Sequence, residues 1–84
     1  MVKKTTPNHQ TSVLVGANIQ KFRRRQGRSP FKLSKLLDLT QKQVSEIENG
    51  TRRITIPQLM KVAEWLEIKP ADLMKKGQTN KGGA

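Results

Sequence analysis

The stretch that decides the fold runs from position 39 to position 50 and reads Leu39-Thr40-Gln41-Lys42-Gln43-Val44-Ser45-Glu46-Ile47-Glu48-Asn49-Gly50. Thr40 can cap the free N–H groups of a first helical turn. Gln43 can bond back to the Thr40 backbone N–H, and the two bonds together form a capping box. Asn49-Gly50 is a helix stop signal, because glycine adopts the left-handed conformation at little cost. The pattern predicts a short, capped helix over residues 41–48.

The predicted helix has one apolar side and one polar side. Val44 and Ile47 share the apolar side, and Leu39 can pack on Val44 as a hydrophobic staple at the helix start. The polar side consists of Gln41, Lys42, Ser45, Glu46 and Asn49. Side chains of these types can read base edges in the major groove of DNA, which is wide enough to admit a helix. Because a bare surface helix carries similar residues, the stretch alone leaves its function open.

Composition points to an anionic partner. The chain has 84 residues, which suffices for one compact core, and its 17 lysines and arginines outweigh 6 acidic residues to give a net charge of +11. Nucleic acid, an acidic membrane surface and an acidic protein all fit that balance. With no cysteine, a single histidine and scattered acids, the chain offers neither a metal cluster nor paired catalytic groups. We therefore expect no enzyme activity and no cofactor.

The chain also lacks the patterns of membrane insertion. No apolar run approaches the roughly 20 residues of a membrane-spanning helix, and the first residues lack the apolar block of a signal peptide. We expect no membrane partner and a cytoplasmic location.

Two helical patterns precede the opening stretch. The first begins at Ser12, repeats apolar residues at three- and four-residue steps, and closes at Gln26-Gly27. The second starts at Ser29-Pro30, since serine caps a helix and proline suits its first position. Asp38 ends it, because aspartate is one of the few residues besides glycine that tolerate positive φ. Helix, short turn and helix in this order are the sequence form of a helix-turn-helix.

One charge in the first helix requires a partner. Arg23 falls beside the apolar stripe that contains Ile19 and Phe22, where an unpaired charge is costly. Glu48, near the end of the opening helix, is the acid that we expect to meet it.

Two more helices follow. Thr55 and Gln58 form a second capping box, and the last helix begins at Pro70 and runs through Met74. The fourth helix is predicted to bury Ile56, Leu59, Met60, Ala63 and Leu66, in a stripe widened by Val62 and Trp65. We interpret residues 1–11 as a disordered basic arm, 12–75 as the folded domain and 76–84 as a disordered tail.

From about Val15 to Met74 the chain resembles the Cro/C1-type (XRE-like) helix-turn-helix family of phage repressors and bacterial regulators. The residues that carry this resemblance are Val15-Gly16, Ile19, Phe22-Arg23, Leu33, Leu37, Leu39-Thr40, Val44-Ser45, Ile47-Glu48, Asn49-Gly50, Ile56, Leu59, Ala63, Leu66, Ile68 and Leu73. The resemblance implies an all-α, five-helix, lambda-repressor-like DNA-binding domain. It also implies a bacterial or phage origin and association with the nucleoid when DNA is bound.

The resemblance implies roles for the exposed side chains on double-stranded DNA. The third helix would lie in the major groove, with base contacts from Gln41, Lys42, Ser45 and Glu46. Phosphate contacts are expected from Arg28, Ser29, Gln43, Asn49, Thr51, Arg52 and Arg53. The pairing of Arg23 with Glu48 matches a buried ion pair that some members have.

Simpler structural roles remain open for some of these residues. Lys42 and Glu46 could form an i,i+4 surface pair. Arg52 and Arg53 could instead satisfy the carbonyl groups at the C-terminal end of the helix.

A single helix reads only a few base pairs, so we expect a two-fold homodimer on a palindromic operator. Trp65, Leu73 and Met74 are the candidate dimer interface. The favoured function is a sequence-specific transcriptional regulator. The alternative is a DNA-binding antitoxin, in which an acidic toxin is bound either by the basic tails or by Leu36, exposed at a position that is commonly polar in the family. Co-purification of a partner would separate the two.

Overall fold

The computed structural model describes residues 9–75, and these form an all-α arrangement of five helices. The helices are α1 (His9–Arg25), α2 (Pro30–Leu37), α3 (Gln41–Asn49), α4 (Ile56–Leu66) and α5 (Pro70–Met74). This confirms the predicted fold class and the order of its elements. The expected disorder of residues 1–8 and 76–84 lies outside the described residues. None of the five helices is long and apolar enough to cross a membrane.

The start of α1 differs from the sequence prediction. The helix begins at His9, so residues 9–11 belong to it and not to a disordered arm. The apolar pattern that was used to place the start marks only the part of a helix that contacts the core. Residues 9–11 contain no apolar side chain, so the pattern could not mark this turn, and the helix begins three residues before the predicted start at Ser12.

The predicted caps fix the ends of the central helices. The Ser29, Thr40 and Thr55 side chains each accept a hydrogen bond from the backbone N–H three residues later, and the two threonines belong to complete capping boxes. Asp38 takes the left-handed conformation with φ of 57°, as its place in the turn predicted. Glu67 does the same after α4 with φ of 59°, which the sequence did not indicate.

The core lies where all five helices meet. Its buried apolar members are Val15, Ile19, Leu33, Leu37, Val44, Ile47, Ile54, Leu59, Val62, Ala63, Leu66 and Leu73. Two residues that were predicted to be buried on α4 are instead exposed, Ile56 by 59% and Met60 by 52%. The buried arc of α4 is narrower than the predicted stripe. At roughly 100° per residue, Met60 falls well outside that arc and Ile56 lies at its edge in the open first turn.

A glycine allows α1 to approach the end of α3 closely. A Cβ atom at Gly16 would collide with the carbonyl oxygen of Ile47 and press on the backbone of Glu48. Because these obstacles are backbone atoms, no side-chain rotation can make room for a larger residue. α3 is therefore seated directly on the backbone of α1, and this contact sets the position of its outer face.

Candidate nucleic-acid interface

α3 presents the polar face that its sequence predicts. Gln41, Lys42 and Ser45 are exposed, and Glu46 is half-buried. Val44 and Ile47 on the opposite side are almost completely buried, at 0% and 2% exposure. The residues predicted to contact bases thus share one outward surface of a helix whose inner surface is fixed in the core.

The N-terminal end of α3 is held by its capping box. The Gln43 N–H donates to Thr40 Oγ1 at 3.0 Å, and the Thr40 N–H donates to Gln43 Oε1 at 2.9 Å. The amide nitrogen of Gln43 makes no hydrogen bond to the part of the chain that the structure describes. Both N–H donors of the Gln43 side-chain amide therefore remain available beside a positive helix end, an arrangement that suits an anionic phosphate.

A buried ion pair ties α3 to α1, as the cost of an isolated charge predicted. Arg23 Nε donates to Glu48 Oε2 at 2.7 Å, and Arg23 Nη2 donates to Glu48 Oε1 at 3.1 Å. The two side chains are only 8% and 5% exposed. Arg23 Nη1 also donates to the Arg28 carbonyl at 2.8 Å, and Gln20 Nε2 contacts Glu48 Oε1 at 3.5 Å. One guanidinium thus joins α1, the turn before α2, and α3.

A second ion pair, which the sequence pattern does not indicate, crosses the turn after α3. Arg52 Nε donates to Glu46 Oε1 at 3.0 Å. The backbone N–H groups of Thr51 and Arg52 and the Thr51 hydroxyl all donate to the Glu46 carbonyl. Helical spacing could not reveal a partner six residues away across a glycine. Among the described residues Glu46 makes no ion pair with Lys42, so the simpler i,i+4 role for these two does not hold.

These two pairs decide the charge that α3 presents. Glu46 and Glu48 are the only acids in its sequence, and each meets an arginine. Lys42 keeps its charge without a carboxylate partner within the described range. Repulsion between α3 and an anionic ligand is consequently reduced on the face that would meet it.

The remaining predicted phosphate contacts divide into two groups. Asn49, Thr51, Arg52 and Arg53 are exposed at the C-terminal end of α3, and the side chains of both arginines make no bond to an α3 carbonyl in the described region. The second group lies at the start of α2, where the Ser29 side chain acts as the cap.

The predicted phosphate contact at Arg28 has other partners in this structure. Its Nε donates to Gln26 Oε1 at 2.6 Å, and its guanidinium lies over the Trp65 ring at 4.9 Å from the centroid. Arg28 is therefore directed toward α4, whereas Arg52 is directed toward α3.

The candidate dimer interface needs a correction. Leu73 has 0% exposure and belongs to the core, so it cannot contact a second copy in this fold. α5 is a five-residue helix that begins with Pro70. Its one buried apolar side chain, Leu73, packs in the core between α1 and α4. Trp65 is half-buried, and Met74 is 47% exposed.

Between positions 9 and 75 no three His, Asp or Glu side chains come together as metal ligands. The side chains that this part of the molecule exposes beside α3 are donors, acceptors and cations, which suit recognition more than catalysis.

The profile of the Cro/C1-type HTH DNA-binding domain matches residues 18–76. The structure is similar to the restriction-modification controller protein C.AhdI from Aeromonas hydrophila, with a TM-score of 0.66 and 29% sequence identity over 74% of this chain and 94% of that chain. No curated protein sequence matches the chain significantly.

Two structures of lower sequence identity show the fold alone. One is the hypothetical transcription factor NHTF from Neisseria, with a TM-score of 0.72 and 23% identity over 93% of this chain and 91% of that chain. The other is the N-terminal DNA-binding domain of SinR from Bacillus subtilis, with a TM-score of 0.66 and 23% identity over 82% and 96%. The profile match covers most of the chain, including the whole helix-turn-helix, and the chain belongs to the Cro/C1-type helix-turn-helix family of DNA-binding regulators.

Proposed function

We propose that the chain is a sequence-specific transcriptional regulator whose α3 enters the major groove of double-stranded DNA. The observation that carries this proposal is the outer face of α3, where Gln41, Lys42 and Ser45 project from a helix that is anchored from behind. A helix that reads bases must hold its donors and acceptors in one fixed register. The Arg23–Glu48 pair and the close packing on Gly16 supply that rigidity.

Each side chain on this face suits a particular base. A bidentate contact from Gln41 fits adenine, and donation from Lys42 fits the O6 and N7 acceptors of guanine. Glu46 holds Arg52 through Oε1, which leaves Oε2 to accept from a cytosine amino group. Ser45 can donate or accept, so it discriminates less strongly.

The surrounding cations and helix ends would fix the register on the phosphates. Arg53 is exposed, Arg52 is held beside α3, and Gln43 and Ser29 lie at helix N-termini. Such contacts carry affinity and salt dependence but little sequence information. Arg28 joins this group only if it leaves Trp65, and its current contacts make it the weakest member.

A two-fold dimer on a palindromic operator follows from the size of the reading surface. One short helix covers few base pairs, and two half-sites about one helical turn apart would place two copies on one side of the duplex. α4 exposes Ile56 and Met60 one turn apart, and exposed apolar side chains at this spacing suit contact with a second copy. Replacing both with glutamate should leave a monomer by sedimentation, and a wild-type chain that stays monomeric on and off DNA would contradict the dimer.

Selection of binding sites from random duplex DNA tests the proposal. A specific regulator should enrich one sequence, and the enriched sites should show two inverted half-sites with constant spacing. A chain that retains random and selected duplexes equally at physiological salt would contradict sequence-specific recognition. The proposed location is the bacterial cytoplasm, at the nucleoid when DNA is bound.

A second candidate is a DNA-binding antitoxin, and one observation favours it. Phe31 is 50% exposed on α2, close to Leu36 and Trp65, on a surface to which α3 contributes no residue. A stable protein partner that co-purifies in defined stoichiometry and suppresses or releases DNA binding would favour this candidate over a regulator that acts alone.

A further inference from the structure

The outer side of α2 and the neighbouring part of α4 form a shallow groove of about 390 Å³. It is lined by Phe31, Lys32, Lys35, Leu36 and Trp65. None of these residues belongs to α3, to the turn with Arg52 or to the proposed phosphate contacts Arg28 and Ser29, so the proposed DNA interface does not account for the groove. We name it the α2/α4 groove, and we propose that it binds an acidic segment of another protein through an apolar side chain flanked by carboxylates.

The floor of the α2/α4 groove is apolar and incompletely covered. Phe31 is 50% exposed, and Leu36 and Trp65 are half-buried against the edge of the core. Single exposed apolar residues are common on protein surfaces, but three from two helices on one concave surface form a site that can desolvate an inserted side chain. An apolar anchor in this position would cover aromatic faces that water now contacts.

The rim of the groove is positively charged. Lys35 Nζ lies 5.3 Å from the centroid of the Phe31 ring, and Arg28 stacks over Trp65 at 4.9 Å. Neither these two cations nor Lys32 forms an ion pair with a carboxylate in the described part of the chain. Cations held on aromatic rings keep their charge while losing some freedom of movement. A carboxylate arriving from a partner would meet donors that are already positioned.

The acids on the flanking elements leave the rim positive. Asp38 follows α2, while Glu64 and Glu67 lie at the end of α4, and all three are exposed without an ion pair to the rim in the described residues. The chain's own ends do not suit the groove, because residues 1–8 and 76–84 contain lysines and no acid. A second copy that met this groove with its own α2/α4 surface would add Lys32 and Lys35 to a rim that is already cationic. DNA would satisfy the cations, but its phosphate backbone offers no apolar group for the floor.

Trp65 allows a direct test because it is the only tryptophan in the chain, so its fluorescence reports on the groove. The probe is a synthetic amphipathic peptide with leucines at i,i+4 spacing flanked by glutamates, and the control peptide has lysine at every glutamate position. The full chain should bind the glutamate peptide saturably with a change in Trp65 emission. The lysine peptide should bind at least roughly tenfold more weakly. The absence of saturable binding by the glutamate peptide, or equal binding of the two peptides, would overturn the proposal.

Variants locate the contact. Lys32→Glu with Lys35→Glu should weaken binding of the glutamate peptide by roughly tenfold or more. Lys21→Glu with Lys69→Glu makes the same change in net charge outside the groove and should have a much smaller effect. Equal losses in the two double variants would mean that net charge alone attracts the peptide.

Two further measurements distinguish other occupants. Affinity for duplex DNA should fall equally in the two double variants, and a larger loss in the groove variant would assign the groove to DNA. Trp65 emission that changes with protein concentration alone would assign it to a second copy. Both results would overturn this inference without deciding whether α3 reads DNA.

Discussion

Removal of the Glu48 carboxylate is the perturbation whose effect the structure defines best. In Glu48→Ala, Arg23 keeps its place in the core but loses the partner of its 2.7 Å and 3.1 Å hydrogen bonds. Its side chain is only 8% exposed, so water cannot replace the carboxylate without opening the packing between α1 and α3. Breaking a buried pair by removing one partner typically costs about 3–5 kcal/mol of folding free energy.

A loss of this size is large for a small domain. Stabilities of native domains are about 5–15 kcal/mol, and domains with small cores lie toward the lower end. Each kcal/mol shifts the unfolding midpoint by about 4–8 °C at this chain length, so the Tm of Glu48→Ala should fall by at least about 12 °C. The assay is thermal unfolding followed by circular dichroism, with urea unfolding as an independent measure. The control is Glu64→Ala, which removes an exposed carboxylate and should change stability by less than about 0.5 kcal/mol.

A double variant tests whether the cost comes from an isolated buried charge. Arg23→Met with Glu48→Leu removes both charges and fills most of the volume, so it should recover much of the stability lost in Glu48→Ala. It should also leave the Arg28 carbonyl without the Arg23 donor, and recovery should therefore be incomplete. A stability loss in Glu48→Ala below about 1 kcal/mol would refute the reasoning. So would a double variant whose stability loss equals the sum of the losses in Arg23→Met alone and Glu48→Leu alone.

The other predictions concern base contact by the outer face of α3, contacts with DNA phosphates, and the packing of α3 on α1. Lys42→Ala should weaken binding to the selected site by about 1–3 kcal/mol and binding to random duplex hardly at all, and equal losses on both would contradict base contact. Arg53→Gln should reduce the slope of log K against log salt by about 1, and an unchanged slope would give Arg53 a structural role. Gly16→Ala should cost about 1–3 kcal/mol in urea unfolding, because its Cβ meets the Ile47 carbonyl. Gly27→Ala, which meets no atom but sits at positive φ, should cost about 1 kcal/mol and clearly less than Gly16→Ala, and equal effects of the two would contradict the steric argument.

Local signals sufficed to predict the helices. The capping boxes at Thr40 and Thr55 are short-range chemistry that a sequence displays directly, and the structure contains both. The pairing of Arg23 with Glu48 was also predictable, since a charge on an apolar stripe needs a partner and the geometry of the bundle leaves few acids within reach. The cost of an unpaired buried charge thus predicted a contact between two residues that are far apart in sequence.

The sequence did not predict how much of each helix face is buried against its neighbours. Ile56 and Met60 fit the helical period but fall outside the narrow arc that the core covers. Leu73 was assigned to a dimer surface, although the only inward position of a five-residue helix has to fill the core. Periodicity identifies the apolar face of a helix. How wide a part of that face is buried depends on which neighbouring helices pack against it.

Side-chain contacts across turns were also not predictable from the sequence. The Glu46–Arg52 pair and the stacking of Arg28 on Trp65 both depend on where a turn directs a long side chain. Neither follows from helical spacing. Such contacts decide which cations remain available to a ligand. The sequence therefore identifies the lysines and arginines, but it does not show which of them are already paired within the chain.

Methylation protection on the selected operator tests most directly whether the outer face of α3 reads base edges. Dimethyl sulfate methylates guanine N7 in the major groove and adenine N3 in the minor groove, so one reaction reports on both. Bound protein should protect guanine N7 at one or more positions in each half-site, and Lys42→Ala should restore methylation at one of them while protection elsewhere persists. A guanine pattern that Lys42→Ala leaves unchanged would contradict base contact by Lys42, and protection confined to adenine N3 would contradict major-groove reading by this helix.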